Sequence, residues 1–380
     1  MRAVVIGAGV FGTWIAHHLL TAGLDVTLID SYGPGNSRSS SGDETRILRC
    51  GYGPDAIYSE LALRSLHQWR ELDARIGTGA EPLWHPSGVI WLAAGRDPYT
   101  EATNQTLTRG SYRVDELDPA ALSSRFPQID PSGITVALLE LDGGVIAARR
   151  AVRALARDLA NRGVTMSRGC VVPVTAMTLR AIHLRDGSLV AGDLFVFACG
   201  AWLPHLFPRL LGGRIRPTRQ VVVYFGTPAG DSRFRADRMP AWIDFPAGIY
   251  GTPDIDGRGV KVGIDEHGPA FDPDAGDRVA DAASVERARR WLAMRVPALA
   301  DAPVVESRVC QYENTATGDF LIDRHPEHDN VWIVGGGSGH GFKHGPAVGE
   351  LAARMVLTAE AAHARFALEA KTTDVRRTVY

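Results

Sequence analysis

Residues 2–30 read RAVVIGAGVFGTWIAHHLLTAGLDVTLID, and this stretch decides the fold. Residues 2–6 form a short apolar run typical of a buried strand, and residues 11–22 place apolar side chains at helical spacing. Gly23 follows that helix, as glycine often does where a helix ends, and residues 25–30 have a second strand pattern. The stretch therefore predicts the first half of a βαβ unit in a doubly wound α/β fold.

The turn between the first strand and the helix reads Gly7-Ala8-Gly9-Val10-Phe11-Gly12. We expect Gly7 to permit the tight turn, Gly9 to let a pyrophosphate approach the backbone, and Gly12 to let the helix pack closely on the strand. The N–H groups at the helix start favour an anionic ligand. Asp30, which ends the second strand, is placed to accept hydrogen bonds from a ribose. This fingerprint predicts a dinucleotide site but does not separate NAD from FAD.

A second glycine-rich loop, residues 335–343 with the sequence GGGSGHGFK, also follows a strand pattern and precedes a helix. Two such loops, far apart in the chain, suit a long cofactor. One helix N-terminus can hold the pyrophosphate, while the other directs its partial positive charge at a flavin ring whose reduced form is anionic. The pair of loops therefore predicts FAD.

Composition excludes several classes of protein. The 380 residues are 45% apolar, and the formal net charge of -2 comes without an extended basic patch, so we expect no nucleic-acid partner. No apolar run approaches the roughly 18 to 20 residues that span a bilayer, and no signal-peptide pattern follows Met1, so we expect no membrane association and a cytoplasmic location. The four cysteines are too irregularly spaced to predict a disulfide framework or a metal site.

Lysine is rare in this chain. Only three of the 41 basic residues are lysine, namely Lys261, Lys343 and Lys371. A chain that uses arginine almost everywhere has reason to keep lysine where a compact, deprotonatable ammonium is needed. We therefore expect functional roles for Lys261 and Lys343, and we interpret Lys371, in a polar tail, as a chance survival.

Further motifs resemble one family across nearly the whole chain and in the same order. The chain is similar to the monomeric sarcosine oxidase family, which includes N-methyltryptophan oxidase and pipecolate oxidase, within the D-amino-acid-oxidase-like flavoproteins. Besides the N-terminal fingerprint, the resemblance rests on Gly42-Asp43, Thr45-Arg46-Ile47-Leu48-Arg49, Gly143-Gly144-Val145-Ile146, Gly200-Ala201-Trp202, Arg219-Gln220, Gly259-Val260-Lys261, Cys310-Gln311-Tyr312, Asp319 to Pro326 and Ser338 to Lys343.

The resemblance implies an α/β fold with a Rossmann-type FAD-binding domain of the glutathione-reductase-like kind and an inserted α+β substrate domain built on an antiparallel sheet. We expect residues 1–87, 141–218 and 304–372 to form the FAD-binding domain, and residues 88–140 and 219–303 to form the substrate domain. Alternating apolar residues and an Asp186-Gly187 turn predict a β-meander over residues 164–198. A monomer is also implied.

The resemblance assigns roles to several side chains. Cys310 matches a cysteine that forms a thioether to the flavin 8α-methyl group, whereas we interpret Cys50, Cys170 and Cys199 as structural. Lys261 matches the lysine that activates oxygen, where a fixed cation stabilises developing negative charge.

The substrate side is implied in the same way. Arg49 and Lys343 match the pair that binds the substrate carboxylate, and Tyr250, Tyr312 and His340 would orient the amine or tune its proton loss. The implied cofactor-binding set is Gly7, Gly9, Val10, Phe11, Gly12, Asp30, Ser41, Thr45, Arg46, Val171, Gly200, Trp202, Cys310, Gly337, Gly339, Gly341, Phe342 and Lys343.

The implied activity is FAD-dependent oxidation of the C–N bond of an amino acid, giving an imine and, with oxygen, hydrogen peroxide. Alternatives are a flavin dehydrogenase that passes electrons to a quinone or carrier, an NAD-dependent dehydrogenase, and a protein that binds FAD without catalysis. Asp265 stands where sarcosine oxidases have a histidine, Gly337 replaces a bulkier residue, and residues 42–45 contain one extra residue. These departures predict a larger substrate, cyclic or N-alkylated, with a polar or cationic side chain.

Overall fold

The computed structural model describes residues 1–79, 81–110, 112–173 and 179–374. In chain order the first half contains β1 (Arg2–Ile6), α1 (Val10–Thr21), β2 (Asp25–Asp30), β3 (Thr45–Leu48), α2 (Ala56–Ile76), β4 (Trp84–His85), β5 (Val89–Ala93), α3 (Pro98–Arg109), β6 (Val114–Leu117), α4 (Pro119–Arg125), β7 (Val136–Glu140), β8 (Gly144–Ala147), α5 (Ala148–Asn161) and β9 (Thr165–Arg168). The second half contains β10 (Ala181–His183), β11 (Leu189–Ala191), β12 (Leu194–Phe197), α6 (Leu203–Leu206), α7 (Pro208–Leu211), β13 (Ile215–Phe225), β14 (Ala241–Asp244), β15 (Ile249–Thr252), β16 (Val260–Ile264), α8 (Ala282–Arg295), β17 (Val304–Thr315), β18 (Leu321–Arg324), β19 (Val331–Gly335) and α9 (Gly345–Thr358).

The six-stranded sheet has the order β18-β19-β12-β1-β2-β9. All neighbours in it are parallel except β18, which runs antiparallel to β19. Most of its strands are apolar because helices cover the sheet, and in β1 and β12 every residue except Arg2 is buried. This confirms the predicted α/β fold and the strand and helix read from residues 2–30.

The eight-stranded sheet has the order β17-β13-β16-β15-β14-β5-β7-β6. Its pairs are antiparallel, with the exception of β5 and β14. The predicted antiparallel sheet is therefore confirmed. β17, which lies in a segment assigned above to the FAD-binding domain, pairs along its whole length with β13 of this sheet. The exact domain boundaries stay a prediction.

The β-meander expected over residues 164–198 is wrong. β9 pairs in parallel with β2, and β12 pairs in parallel with β1, so both belong to the six-stranded sheet. Only β10 and β11 form an antiparallel hairpin, which turns at Asp186-Gly187. Apolar alternation predicted the strands but not their partners, because pairing depends on segments far away in the chain. Residues 174–178 lie outside the described residues.

Two main cores support these sheets. One packs α1, α5 and α9 against the six-stranded sheet, and the other packs α8 against the eight-stranded sheet. Helices α1 and α9 approach closely at Gly349, where a Cβ would lie 2.7 Å from the backbone carbon of Trp14. Among the described residues, no helix combines the length and apolar character that crossing a bilayer requires.

Candidate active site

The first cavity lies beyond the carboxyl ends of β1, β2 and β12, where open α/β sheets bind their ligands. Most of the predicted cofactor-binding residues line it, namely Gly7, Gly9, Val10, Phe11, Asp30, Ser41, Arg46, Val171, Gly200, Trp202, Cys310, Gly337, Gly339, Gly341 and Phe342. Both glycine-rich loops thus border one cavity, although more than 300 residues separate them. Cys170 and Cys199, interpreted above as structural, line it as well.

The first glycine turn is held by close backbone contacts. Gly7 has φ +102°, and a Cβ on it would lie 2.4 Å from the carbonyl oxygen of Ala198. A Cβ on Gly12 would lie 1.7 Å from the carbonyl oxygen of Gly7. Gly12 therefore serves helix packing, as predicted, and lies behind the cavity wall. Gly9 keeps more room, since its Cβ would meet only Ser41 Oγ at 3.4 Å.

Asp30 fixes this turn through its carboxylate. The backbone N–H groups of Ala8, Tyr32 and Gly33 donate to it at 2.8, 2.8 and 2.7 Å. Burial raises the pKa of Asp30, and these three donors oppose that rise. The side chain lies on the cavity wall, where it could accept hydrogen bonds from ribose hydroxyl groups.

The second cavity adjoins the first, and five residues line both: Arg46, Cys310, Tyr312, Gly339 and Phe342. The strands β13, β14 and β15 supply much of its remaining wall, and its lining includes Arg49, Tyr250, Asp265, His340 and Lys343. The predicted substrate residues therefore meet in one place, next to the predicted cofactor site.

Arg49 and Lys343 are buried side by side in this second cavity. Both cations lie against the ring of Tyr52, with the Arg49 Cζ 4.3 Å and the Lys343 Nζ 5.0 Å from its centroid. Lys343 Nζ donates to the carbonyl of His340 at 3.0 Å, and Arg49 donates to the carbonyl of Gly51. Burial and the Arg49 charge lower the pKa of Lys343 well below its ordinary value. A ligand carboxylate would relieve this concentration of positive charge.

Lys261 lies behind the cavity walls. Its Nζ donates to Asp43 Oδ2 at 2.5 Å and to the carbonyl of Thr45 at 2.9 Å, and the residue is 1% exposed. Arg46 donates to the same Asp43 oxygen at 2.5 Å. Burial would raise the pKa of Asp43, but the two cations hold it well below its usual range. The carbonyl of Thr45 is thus engaged with Lys261, and the expected role of Thr45 in cofactor binding stays a prediction.

Cys310 lies on β17 at the junction of the two cavities. Arg46 Nη2 lies 3.6 Å from its Sγ. Cys50, in contrast, is fully buried, and burial raises the pKa of its thiol.

The aromatic residues of the second cavity are linked by hydrogen bonds. The hydroxyls of Tyr250 and Tyr312 lie 3.5 Å apart, and Tyr312 donates to Asp265 Oδ1 at 3.2 Å. His340 Nε2 donates to the carbonyl of Gly318 at 3.0 Å, and its Nδ1 lies 3.1 Å from the hydroxyl of Tyr52. Burial raises the pKa of both Tyr250 and Tyr312, so both stay protonated near neutral pH.

Sequence reasoning missed two acidic residues of the site. The motif Gly42-Asp43 by itself predicts no role for Asp43, because the place of this carboxylate between Lys261 and Arg46 is a tertiary feature. Glu313, which is 8% exposed and lines the first cavity, lies under Gly200 and Gly337, where added Cβ atoms would meet its carboxylate oxygens at 3.2 and 2.9 Å. Burial raises the pKa of Glu313 to about 7, against the opposing effect of nearby loop N–H groups.

The residues of the first cavity fit FAD. The N-terminus of α1 faces it, Gly9 leaves room for a pyrophosphate, and Asp30 stands where a ribose would lie. The second loop and Cys310 lie on the side of this cavity that borders the second cavity. A dinucleotide cavity joined to a second cavity that is lined by two buried cations is an arrangement typical of a dinucleotide-dependent oxidoreductase.

Comparison with known proteins supports this class. The family model described as FAD dependent oxidoreductase matches residues 2–355. The chain is 31% identical to the monomeric sarcosine oxidase of Bacillus sp. strain B-0618, covering 95% of this chain and 93% of that protein. It is 28% identical to the N-methyl-L-tryptophan oxidase of Citrobacter koseri, with 92% and 93% covered. The structure of L-proline dehydrogenase from P. horikoshii superimposes with a TM-score of 0.82 at 21% identity, covering 96% and 95%.

The chain therefore belongs to the DAO family of FAD-dependent oxidoreductases. This confirms the predicted family, fold class and FAD dependence, and it excludes the NAD-dependent alternative.

Proposed function

We propose that this enzyme oxidises the C–N bond of an N-alkylated or cyclic amino acid to an imine and transfers the electrons to oxygen. The observation that carries the proposal is the pair Arg49 and Lys343, two buried cations on the wall of a cavity that adjoins the FAD site. Similarity to sarcosine and N-methyl-L-tryptophan oxidases supports the substrate class.

The residues would divide the work as follows. Bound FAD would supply the hydride acceptor. Arg49 and Lys343 hold the substrate carboxylate through charge-assisted hydrogen bonds. Tyr250, Tyr312 and His340 orient the amine.

Lys261 provides a fixed positive charge for the oxygen reaction, since Asp43 and the Thr45 carbonyl hold its ammonium in place. Because it lies behind the cavity wall, we propose that it acts electrostatically at short range rather than by contact with the substrate.

A covalent bond from Cys310 Sγ to the flavin is also part of the proposal. Its support is the position of the thiol at the junction of the cavities and the neighbouring Arg46 guanidinium. The monomeric state and the cytoplasmic location expected from the sequence stay predictions.

An anaerobic bleaching screen tests the activity. Purified holoenzyme is mixed with secondary, cyclic and primary amino acids, and loss of the flavin absorbance is recorded before air is admitted and peroxide is measured. We expect bleaching with N-alkylated or cyclic amino acids and stoichiometric peroxide. Bleaching without peroxide would indicate a dehydrogenase, and no bleaching with any amino acid would contradict the proposed activity.

Acid precipitation tests the covalent bond in the same preparation. We expect the flavin to stay with the precipitated protein of the wild type and to leave with the supernatant of Cys310→Ala. Flavin in the wild-type supernatant would refute the linkage.

A further inference from the structure

Lys343 and Arg49 form an unusual pair because two cations share one ring and one buried wall. Lys343 is 5% exposed and Arg49 is 7% exposed, and both contact the face of Tyr52. Desolvation penalises each charge, and their mutual repulsion adds to the penalty. Arginine stays protonated in proteins, so lysine is the member of the pair that can lose its charge.

The charged and titratable groups around Lys343 do not remove this penalty on its charged form. They are Arg49, Cys50, Tyr52, Glu140, Asp265, His340 and His344. Glu140 is engaged elsewhere, since it accepts from the backbone N–H groups of Cys50 and Gly51 and from Trp91 Nε1. Acceptor contact at the Lys343 Nζ comes from the neutral carbonyl of His340, which can accept from NH₂ as well as from NH₃⁺.

We infer that Lys343 is neutral in the free enzyme and takes the proton that the substrate's ammonium group must lose. This inference rests on the proposed function. An amino acid arrives as a zwitterion, but only the neutral amine has the lone pair that an imine-forming oxidation requires. When its carboxylate approaches Arg49 and Lys343, that negative charge favours the protonated form of the lysine.

The transfer balances within the complex. One N–H bond of the substrate ammonium breaks, and one N–H bond forms on Lys343 Nζ. The α-amine and the carboxylate of an amino acid are neighbours, so a lysine that contacts the carboxylate lies close to the amine as well. The products of the transfer are a neutral amine and an ammonium–carboxylate ion pair, and no proton is exchanged with solvent.

Proton uptake on ligand binding tests the inference without turnover. Holoenzyme in weakly buffered solution at about pH 8 is titrated anaerobically with acetate or with trimethylglycine, which have a carboxylate but no transferable proton. A pH indicator reports the protons, and perturbation of the flavin absorbance reports binding. We expect uptake of about one proton per bound ligand. N,N-Dimethylglycine, which brings its own proton, should bind without uptake.

Lys343→Arg is the matched control, because it keeps a cation that cannot be neutral. We expect it to bind acetate with no proton uptake. Acetate binding to the wild type without proton uptake would overturn the inference while leaving the carboxylate site intact. Failure of all three ligands to bind would instead contradict the carboxylate site, and with it the proposed function.

Discussion

Replacement of Glu313 by glutamine should stabilise the protein at alkaline pH and change its stability little at acidic pH. Glu313 is buried beneath the loops that border the FAD cavity, and its Oε2 has no hydrogen-bond partner within the described residues. Burial raises its pKa from 4.5 to about 7. Glutamine has the same shape and keeps a carbonyl acceptor, but it cannot ionise.

The magnitude follows from the two pKa values. In the unfolded chain the carboxyl ionises near 4.5, whereas in the folded chain it ionises near 7. Between these values the folded state binds more protons than the unfolded state, so the free energy of unfolding falls as pH rises. The contribution is fully present below pH 4.5 and is lost as pH rises through about 7. At about 1.4 kcal/mol per pKa unit, the loss amounts to about 3 kcal/mol.

Urea denaturation of wild type and Glu313→Gln measures this effect. Both proteins are prepared with the same flavin content and unfolded in matched buffers between pH 5 and about pH 8, so that contributions from other titrating groups cancel in the difference. Because part of the effect is already lost at pH 5, we expect the difference in unfolding free energy to move in favour of the variant by about 2.5 kcal/mol across this range. A difference that stays constant with pH would refute the assignment of a buried, titrating carboxyl to Glu313.

Three further predictions concern the site. Lys261→Met should slow the oxygen-dependent return of flavin absorbance in stopped-flow experiments by about 100-fold. The rate of anaerobic bleaching by substrate should change only a few-fold. Equal effects on the two rates would contradict a role of Lys261 in the oxygen reaction. Arg49→Lys keeps the positive charge but loses the two-pronged guanidinium, so it should raise KM by roughly 30-fold, as expected for about 2 kcal/mol of charge-assisted hydrogen bonding. An unchanged KM in the peroxide assay would exclude Arg49 from carboxylate binding. Gly12→Ala should abolish flavin content and folded circular dichroism because its Cβ would lie 1.7 Å from a backbone oxygen, whereas Gly95→Ala, with nothing within 4 Å, should purify normally.

Much of the fold could be predicted from local sequence, because the βαβ unit of residues 2–30 has apolar strand patterns and glycines in its turn that occur within a short stretch of chain. The strands of residues 2–30 are mostly apolar runs, and Gly12 is required by a contact within its own turn, although Gly7 is required by Ala198 at the distant end of β12. The second glycine loop could also be predicted from local sequence, and the roles of Cys310, Lys261 and Arg49 are predictions from the family resemblance.

Which strands pair with each other could not be predicted from the sequence. Residues 164–198 alternate as a meander would, yet β9 and β12 join the parallel sheet on opposite sides of β1 and β2. The 12-residue strand β17 begins at Val304 and pairs with β13, which ends far earlier in the chain at Phe225. These pairings depend on which apolar faces the whole chain buries together, and no local window contains that information.

The sequence by itself determined the family, the cofactor and the residue types of the site, because glycine turns, helix starts and single reactive side chains act through local geometry. Only the tertiary structure decided the electrostatics. It placed Asp43 between Lys261 and Arg46, buried Glu313 under two loops, and set Lys343 beside Arg49 on one ring. The physical reason is that a charge's behaviour depends on burial and on neighbours from distant segments, which folding alone brings together.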